Sequence, residues 1–319
     1  MKIKQIYDLA VALGIENDPR GTSGVAKYLK RVKKEHAELT EKQKKFFDKE
    51  SFKNPFSDTR ILFGDEDKTV KRALFGVDVD VSEILLADRL SEKGKKIDLV
   101  IGHHPEGSAL ARLDEVMDIQ VDVMGSFGVP VNISENLLSE RISEVKRRLN
   151  PVNHFKSVDA ARLLNVPFMV IHTALDNMGH TFLSNYLTKK KDLDTVGDVL
   201  DAIEALPEFE EAKKRNAGPR ITVGSPKNRI GRIAVTGFTG GTGGSKYIYE
   251  RLAHAGVGTV VEMHMSDDSY TEAKKHHLNV VISGHMASDS LGANLFLDKV
   301  EKQGVEIIPT SGLIRIKRS

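Results

Sequence analysis

Three short segments hold the residues best suited to chemistry. They are Gly102-His103-His104-Pro105, His172-Thr173-Ala174-Leu175-Asp176 and Gly284-His285-Met286-Ala287-Ser288-Asp289. Each follows an apolar, β-prone run: residues 97–101, 166–171 and 280–282. Open α/β sheets bind ligands just outside the carboxyl ends of their strands. Three strands ending in His and Asp therefore bring imidazoles and carboxylates to one rim. Neutral imidazole and ionised carboxylate together suit divalent metal, and five or more such groups suit two ions better than one. Adjacent residues of an extended chain point to opposite sides, so His103 and His104 can address two different metals. His172 and Asp176 are four apart, as are His285 and Asp289. On a helical turn each pair shares one face.

Two further stretches adjoin these motifs. Glu262-Met263-His264-Met265-Ser266-Asp267-Asp268 ends another predicted strand and could either supply an acid or a proton carrier or simply cap the helix predicted from 269. The glycine-rich run Gly237-Phe238-Thr239-Gly240-Gly241-Thr242-Gly243-Gly244-Ser245-Lys246 lies between a predicted strand and helix. Ser245 precedes Lys246, the reverse of the Walker order, and no clear dinucleotide fingerprint follows. Two roles fit this run. Its N–H groups could seat a phosphate or other anion through Gly240, Gly241, Gly243 and Gly244, or its glycines could serve close chain packing beside the site.

The elements that must position these groups read as α/β. From about residue 70, predicted strands and helices alternate to the end, with a peripheral stretch at 177–226. This βαβ rhythm predicts mixed or mostly parallel sheets with helices on their faces. Residues 1–64 read differently, as a helical N-terminal extension ahead of an α/β core at 65–319. Within it, residues 27–53 hold ten Lys/Arg against five Asp/Glu. With no aromatic stacking pattern seen beside those cations, a solvated helical face is the expected reading and nucleic acid is not expected as a partner.

Composition narrows the chemistry. The chain has 319 residues, 29% charged and 40% hydrophobic, with net charge +2. It is long enough for one large domain or two medium ones. The near-neutral balance gives no global field toward nucleic acid or membrane. The absence of cysteine excludes disulfides, thiolate nucleophiles, Fe–S clusters and Cys-type zinc sites. Residues 1–5 lead into an amphipathic helix and not an apolar signal core, and no apolar run nears membrane-span length, so the cytoplasm is the expected location.

Taken together, the run Val77-Asp78-Val79 through His103-His104-Pro105, the His172-Thr173-x-Leu175-Asp176 motif and the Gly284-His285-x-Ala287-x-Asp289 motif resemble the Ngg-one-interacting-factor-three-like family. The resemblance covers roughly residues 70–105 and 165–315. Members of that family are often described as type 2 homologues of GTP cyclohydrolase I. The resemblance implies a dinuclear metal centre between two α/β lobes, in a ring-shaped homo-oligomer, typically a hexamer. Carried over by position, the metal ligands are His103, His104, Asp176, His285 and Asp289. The family usually has Glu where this chain has Asp289, one methylene shorter. The glycine run is also longer, and the gap between the His-His and His-x-x-x-Asp motifs is wider, which marks a divergent branch.

The expected function is a metal-dependent hydrolase with two divalent ions (Zn, Mn, Fe, Ni or Mg). Its expected substrate is a small anionic molecule, nucleotide-like or phosphate-bearing. His172, Glu262 and His264 are the candidates for moving protons. A phosphoesterase is the nearest enzymatic variant. A metal-binding scaffold or regulator without turnover is the alternative from another class.

Overall fold

The computed structural model describes residues 1–318. The chain opens with α1 (Ile3–Glu16), α2 (Gly21–Glu38), α3 (Glu41–Lys44) and a 3-10 turn at Lys49–Phe52. It continues through β1 (Thr59–Phe63), β2 (Arg72–Gly76), α4 (Val81–Glu92) and β3 (Leu99–Gly102). A helical segment follows: α5 (Gly107–Ala111), a 3-10 turn at Leu113–Val116, α6 (Ile119–Ser126), α7 (Val131–Leu149) and α8 (Lys156–Leu163). Then come β4 (Phe168–Ile171), α9 (Thr173–Lys189), α10 (Val196–Glu204), α11 (Pro207–Lys214), β5 (Arg220–Val223) and β6 (Arg232–Val235). The chain closes with α12 (Ile248–His254), β7 (Val257–Glu262), α13 (Asp267–Lys275), β8 (Asn279–Ile282), α14 (His285–Lys302) and β9 (Glu306–Thr310).

The strands form two sheets, ordered β1-β4-β3-β2-β9 and β5-β8-β7-β6. Both follow one plan. Their inner strands run parallel, as the βαβ rhythm requires, and each carries one antiparallel edge strand: β1 against β4 and β5 against β8. Strands β3, β4 and β8 are buried along their whole length, which explains their continuous apolar runs.

The first 64 residues are not helical throughout. Residues 59–63 form β1, in register with β4 from Thr59 opposite Ile171. Helix α1 also belongs to the core. Its Ile3, Ile6, Tyr7, Ala10 and Leu13 recur at helical spacing and pack with Leu99, Ile101 and Ile171 of the first sheet. Helix α2 fully buries only Val25 and Val32, with Tyr28, Leu29 and His36 half-buried and the remaining face left to solvent.

Candidate metal centre

Helices α9 and α14 start directly after β4 and β8, and the His-His dipeptide extends β3. The His103 and His104 amides donate to the carbonyls of Gly76 and Val77, so both residues are held at the end of β2. These placements bring His103, His104, His172, Asp176, His285 and Asp289 together. Three overlapping groups of donor atoms result: His103, His104 and His172; His103, Asp176 and Asp289; and His104, His285 and Asp289.

The Asp289 carboxylate divides its oxygens. Oδ1 lies 3.7 Å from His103 Nε2, while Oδ2 lies 3.4 Å from both His104 Nε2 and His285 Nε2. Asp176 Oδ1 is 3.2 Å from His103 Nε2, and its Oδ2 is 3.6 Å from His172 Nε2. Donors around one tetrahedral zinc, at bond lengths of 2.0–2.1 Å, stand about 3.3 Å apart. The separations here bracket that value. His103 Nε2, Asp176 Oδ1 and Asp289 Oδ2 are also buried with no hydrogen-bond partner. Polar atoms left this way are costly unless a further group satisfies them. The residues present therefore fit a metal ion.

Each of three imidazoles is fixed by its other nitrogen. His103 Nδ1 meets the Ile171 carbonyl at 3.0 Å, His104 Nδ1 meets Asp78 at 2.6 Å, and His172 Nδ1 meets Asp58 at 2.9 Å. Such partners set the tautomer and aim Nε2 inward, as around metal-binding histidines. Asp58 also accepts from the Thr173 hydroxyl at 2.6 Å. Electrostatics is correspondingly tight. Burial lowers the pKa of His104, but the facing Asp289 carboxylate and the hydrogen bond to Asp78 outweigh it and raise it to about 9. The His103 pKa also rises well above 6.5, because Asp289 and Asp176 overcome its complete burial. Burial favours the neutral acid at Asp289, yet the facing histidines hold its pKa well below the usual carboxylate range.

No protein-family model matches the sequence, and neither does any curated protein. Among solved structures, the chain aligns with a NIF3 superfamily protein from Sphaerobacter thermophilus at 30% identity and a TM-score of 0.72. That alignment covers 81% of this chain and 92% of the other. The chain belongs to the NIF3 superfamily. Reduced HcgD from Methanocaldococcus jannaschii shares the fold, at 15% identity and a TM-score of 0.53, over 84% of this chain and 94% of the other.

In this NIF3 superfamily member a cleft of about 660 Å³ adjoins the cluster. Its lining includes Arg141, His180, Gly243, Gly244, Glu262 and His264. His264 links cleft and cluster, with its ring 4.8 Å from that of His285. Glu262 stands apart from the cluster. It accepts from Thr236 at 2.9 Å and lies 2.9 and 3.0 Å from the Tyr249 hydroxyl. Burial pushes its pKa up to about 7, against hydrogen bonds from Thr236 and Tyr249 that favour the anion.

The glycine run is a loop without regular structure, and its glycines divide. Gly240 and Gly241 have φ of +87° and +79°. A Cβ on them would stand 2.7 Å from Gln120 Cγ and 2.8 Å from Val116 Cγ2. They serve close packing, and Gln120 fastens the loop by donating to the Gly240 and Thr242 carbonyls. Gly243, with open space around it, and Gly244, on which a Cβ would stand 2.5 Å from Gln120 Oε1, line the cleft.

Sequence reading assigned no role to Asp58, Asp78, Tyr249 or His180, although Asp78 lies in one of the runs that carry the resemblance. Asp78 had a usable signal, since it follows the apolar strand β2 at the same rim. Asp58 and Tyr249 carried none, because their partners are remote in sequence. His180 lies one helical turn beyond Asp176, on α9.

Proposed function

We propose that this chain is a metal-dependent hydrolase whose centre holds two divalent ions sharing Asp289, acting on a nucleotide-like or phosphate-bearing substrate. The observation that carries this reading is the convergence of unpartnered buried donors, His103 Nε2, Asp176 Oδ1 and Asp289 Oδ2, beside an open cleft. His103, Asp176 and Asp289 would hold one ion, and His104, His285 and Asp289 the other. An imidazole-rich donor set suits Zn, Mn, Fe or Ni better than Mg. Metal bound there would supply Lewis-acid polarisation and water activation near neutral pH.

The chain's own residues complete the site. His172, aligned by Asp58, takes up a proton at Nε2 beside the cluster. His264 stands at the junction of cluster and cleft, where the reacting bond would lie. Below about pH 7 Glu262 holds a proton at the cleft wall for a leaving group. Gly243, Gly244 and Lys246 border the same cleft and seat the anionic part of the substrate, on a loop whose shape Gly240 and Gly241 fix.

Assembly into a homo-oligomer, a hexamer by family resemblance, accords with exposed Leu85 on α4 and Leu163 on α8. Light scattering of the purified chain tests it. No helix among the described residues is long and apolar enough to cross a membrane. The activity test is a hydrolysis screen of metal-loaded protein on nucleotides, GTP included, and on phosphoesters. Turnover that Glu262→Gln and His264→Ala reduce at unchanged metal content supports the hydrolase. Metal retention with no turnover across the screen favours a metal-binding scaffold.

A further inference from the structure

Residues 27–53 hold ten Lys/Arg and five Asp/Glu, a net +5, whereas the whole chain carries +2 and the remainder therefore −3. The structure sharpens this asymmetry. Two of the five acids are already paired with arginines outside the run: Asp48 with Arg60 at 2.7 Å and also with Arg112, and the exposed Glu50 with Arg60 at 3.2 Å. Lys27, Lys30, Lys33, Lys42, Lys45 and Lys49 remain exposed, and none has a carboxylate partner among the described residues.

One aromatic ring stands among these cations. Phe46 is 84% exposed, directly after Lys45. Its neighbour Phe47 turns the other way, with its ring centroid 4.6 Å from that of His36 and 5.2 Å from that of Phe52. That cluster fastens residues 47–52 to the end of α2, so the lysines of both segments share one module. Ion pairs also tie this module to the segment beside the cleft. Arg31 of α2 pairs with Asp118 at 3.2 Å, and Lys146 of α7 pairs with Asp114 at 3.1 Å, four residues away. Arg147 and Arg148 of α7 then line the cleft itself.

We propose that this module binds single-stranded nucleic acid, with the lysines on the phosphates and a base stacked on Phe46. Exposed lysines that track a backbone beside an aromatic platform are the physical requirements for sequence-tolerant single-strand binding. A free ring face needs an unstacked base, which a duplex does not offer. An anionic membrane fits less well. The apolar side of α2, Val25 and Val32, is already packed, leaving a single ring to enter the lipid.

The test is fluorescence anisotropy of the full chain with a labelled oligouridine of about 20 nucleotides, between about 50 and 200 mM salt. Sedimentation with phosphatidylserine vesicles runs alongside. The expected result is binding that weakens steeply with salt. Lys27→Gln/Lys30→Gln/Lys33→Gln should flatten the log–log salt slope by roughly 2, at about 0.7 per phosphate contact. Phe46→Ala should weaken binding about tenfold at unchanged slope. Thermal melts of both variants should match wild type, since every altered residue is exposed. No binding at low salt, or binding that neither variant changes, overturns the proposal. Vesicle binding without oligouridine binding overturns it in favour of a membrane surface. The readout needs neither metal nor turnover, so it stands apart from the hydrolase reading.

Discussion

Gly292 of α14 lies against the backbone of α9, such that a Cβ on it would stand 2.2 Å from the Leu175 carbonyl oxygen. Leu175 precedes Asp176, and Gly292 follows Asp289 by three residues. The close approach of these two helices therefore sets the distance between the two carboxylates of the cluster. Gly292→Ala should force the helices apart. The expected cost is about 1–3 kcal/mol of stability, the usual range for overpacking, with a marked loss of metal affinity. Thermal melts and metal titration of the variant check both. Wild-type affinity in a destabilised variant would mean that the helix contact does not set the site.

Asp78 orients His104 from the solvent side, through a 2.6 Å hydrogen bond and a side chain that is 68% exposed. Asp78→Asn should leave the fold intact and weaken metal binding by roughly 10- to 100-fold, the usual effect of losing such a partner. Competition with a chelator of known affinity measures it. The same substitution at buried Asp58 should cost stability as well, because Asp58 holds both His172 and Thr173.

Glu262 gives the protein a pH dependence of known sign. Its pKa is about 7 in the fold against 4.5 in its ordinary state. The folded chain thus keeps this proton longer than the unfolded chain does. Stability contributed here falls as pH rises from about 4.5 to about 7, by roughly 3 kcal/mol, and stays lower above that. His180 acts oppositely. Burial lowers its pKa to about 4, so its contribution is lost as pH falls from about 6.5 toward 4. Glu262→Gln should gain melting temperature relative to wild type as pH rises from 5 to 8. An offset that does not vary with pH would contradict the assignment.

The part of this account legible in the sequence is the part written locally. Strand ends β3, β4 and β8 each pair an apolar run with His or Asp a few residues on, and those motifs do converge, but not on one rim. Strands β3 and β4 belong to the first sheet and β8 to the second, so the donors meet between two sheets. The edge strands β1 and β5 escaped notice. Thr59–Phe63 and Arg220–Val223 are short and partly exposed, and only their antiparallel partners identify them. Helix α1 read as part of an extension because its apolar stripe does not reveal which sheet it covers. The split of the glycine run also lay out of reach, since the contacts that crowd Gly240 and Gly241 come from Gln120 and Val116, over a hundred residues earlier. Glu262 was legible as an acid at a strand end, but its separation from the metal-ligand set depends on Tyr249 and Thr236 in the fold.

The sharing of Asp289 by two ions is the claim on which the rest depends, and metal content tests it most directly. The measurement is plasma mass spectrometry on wild type, Asp176→Ala, His285→Ala and Asp289→Ala, each purified without chelator and saturated with the metal found. The account predicts about two ions per wild-type chain, about one in each of the Asp176 and His285 variants, and none in the Asp289 variant. A wild-type chain that binds no metal, or an Asp289→Ala chain that keeps its full complement, would contradict it.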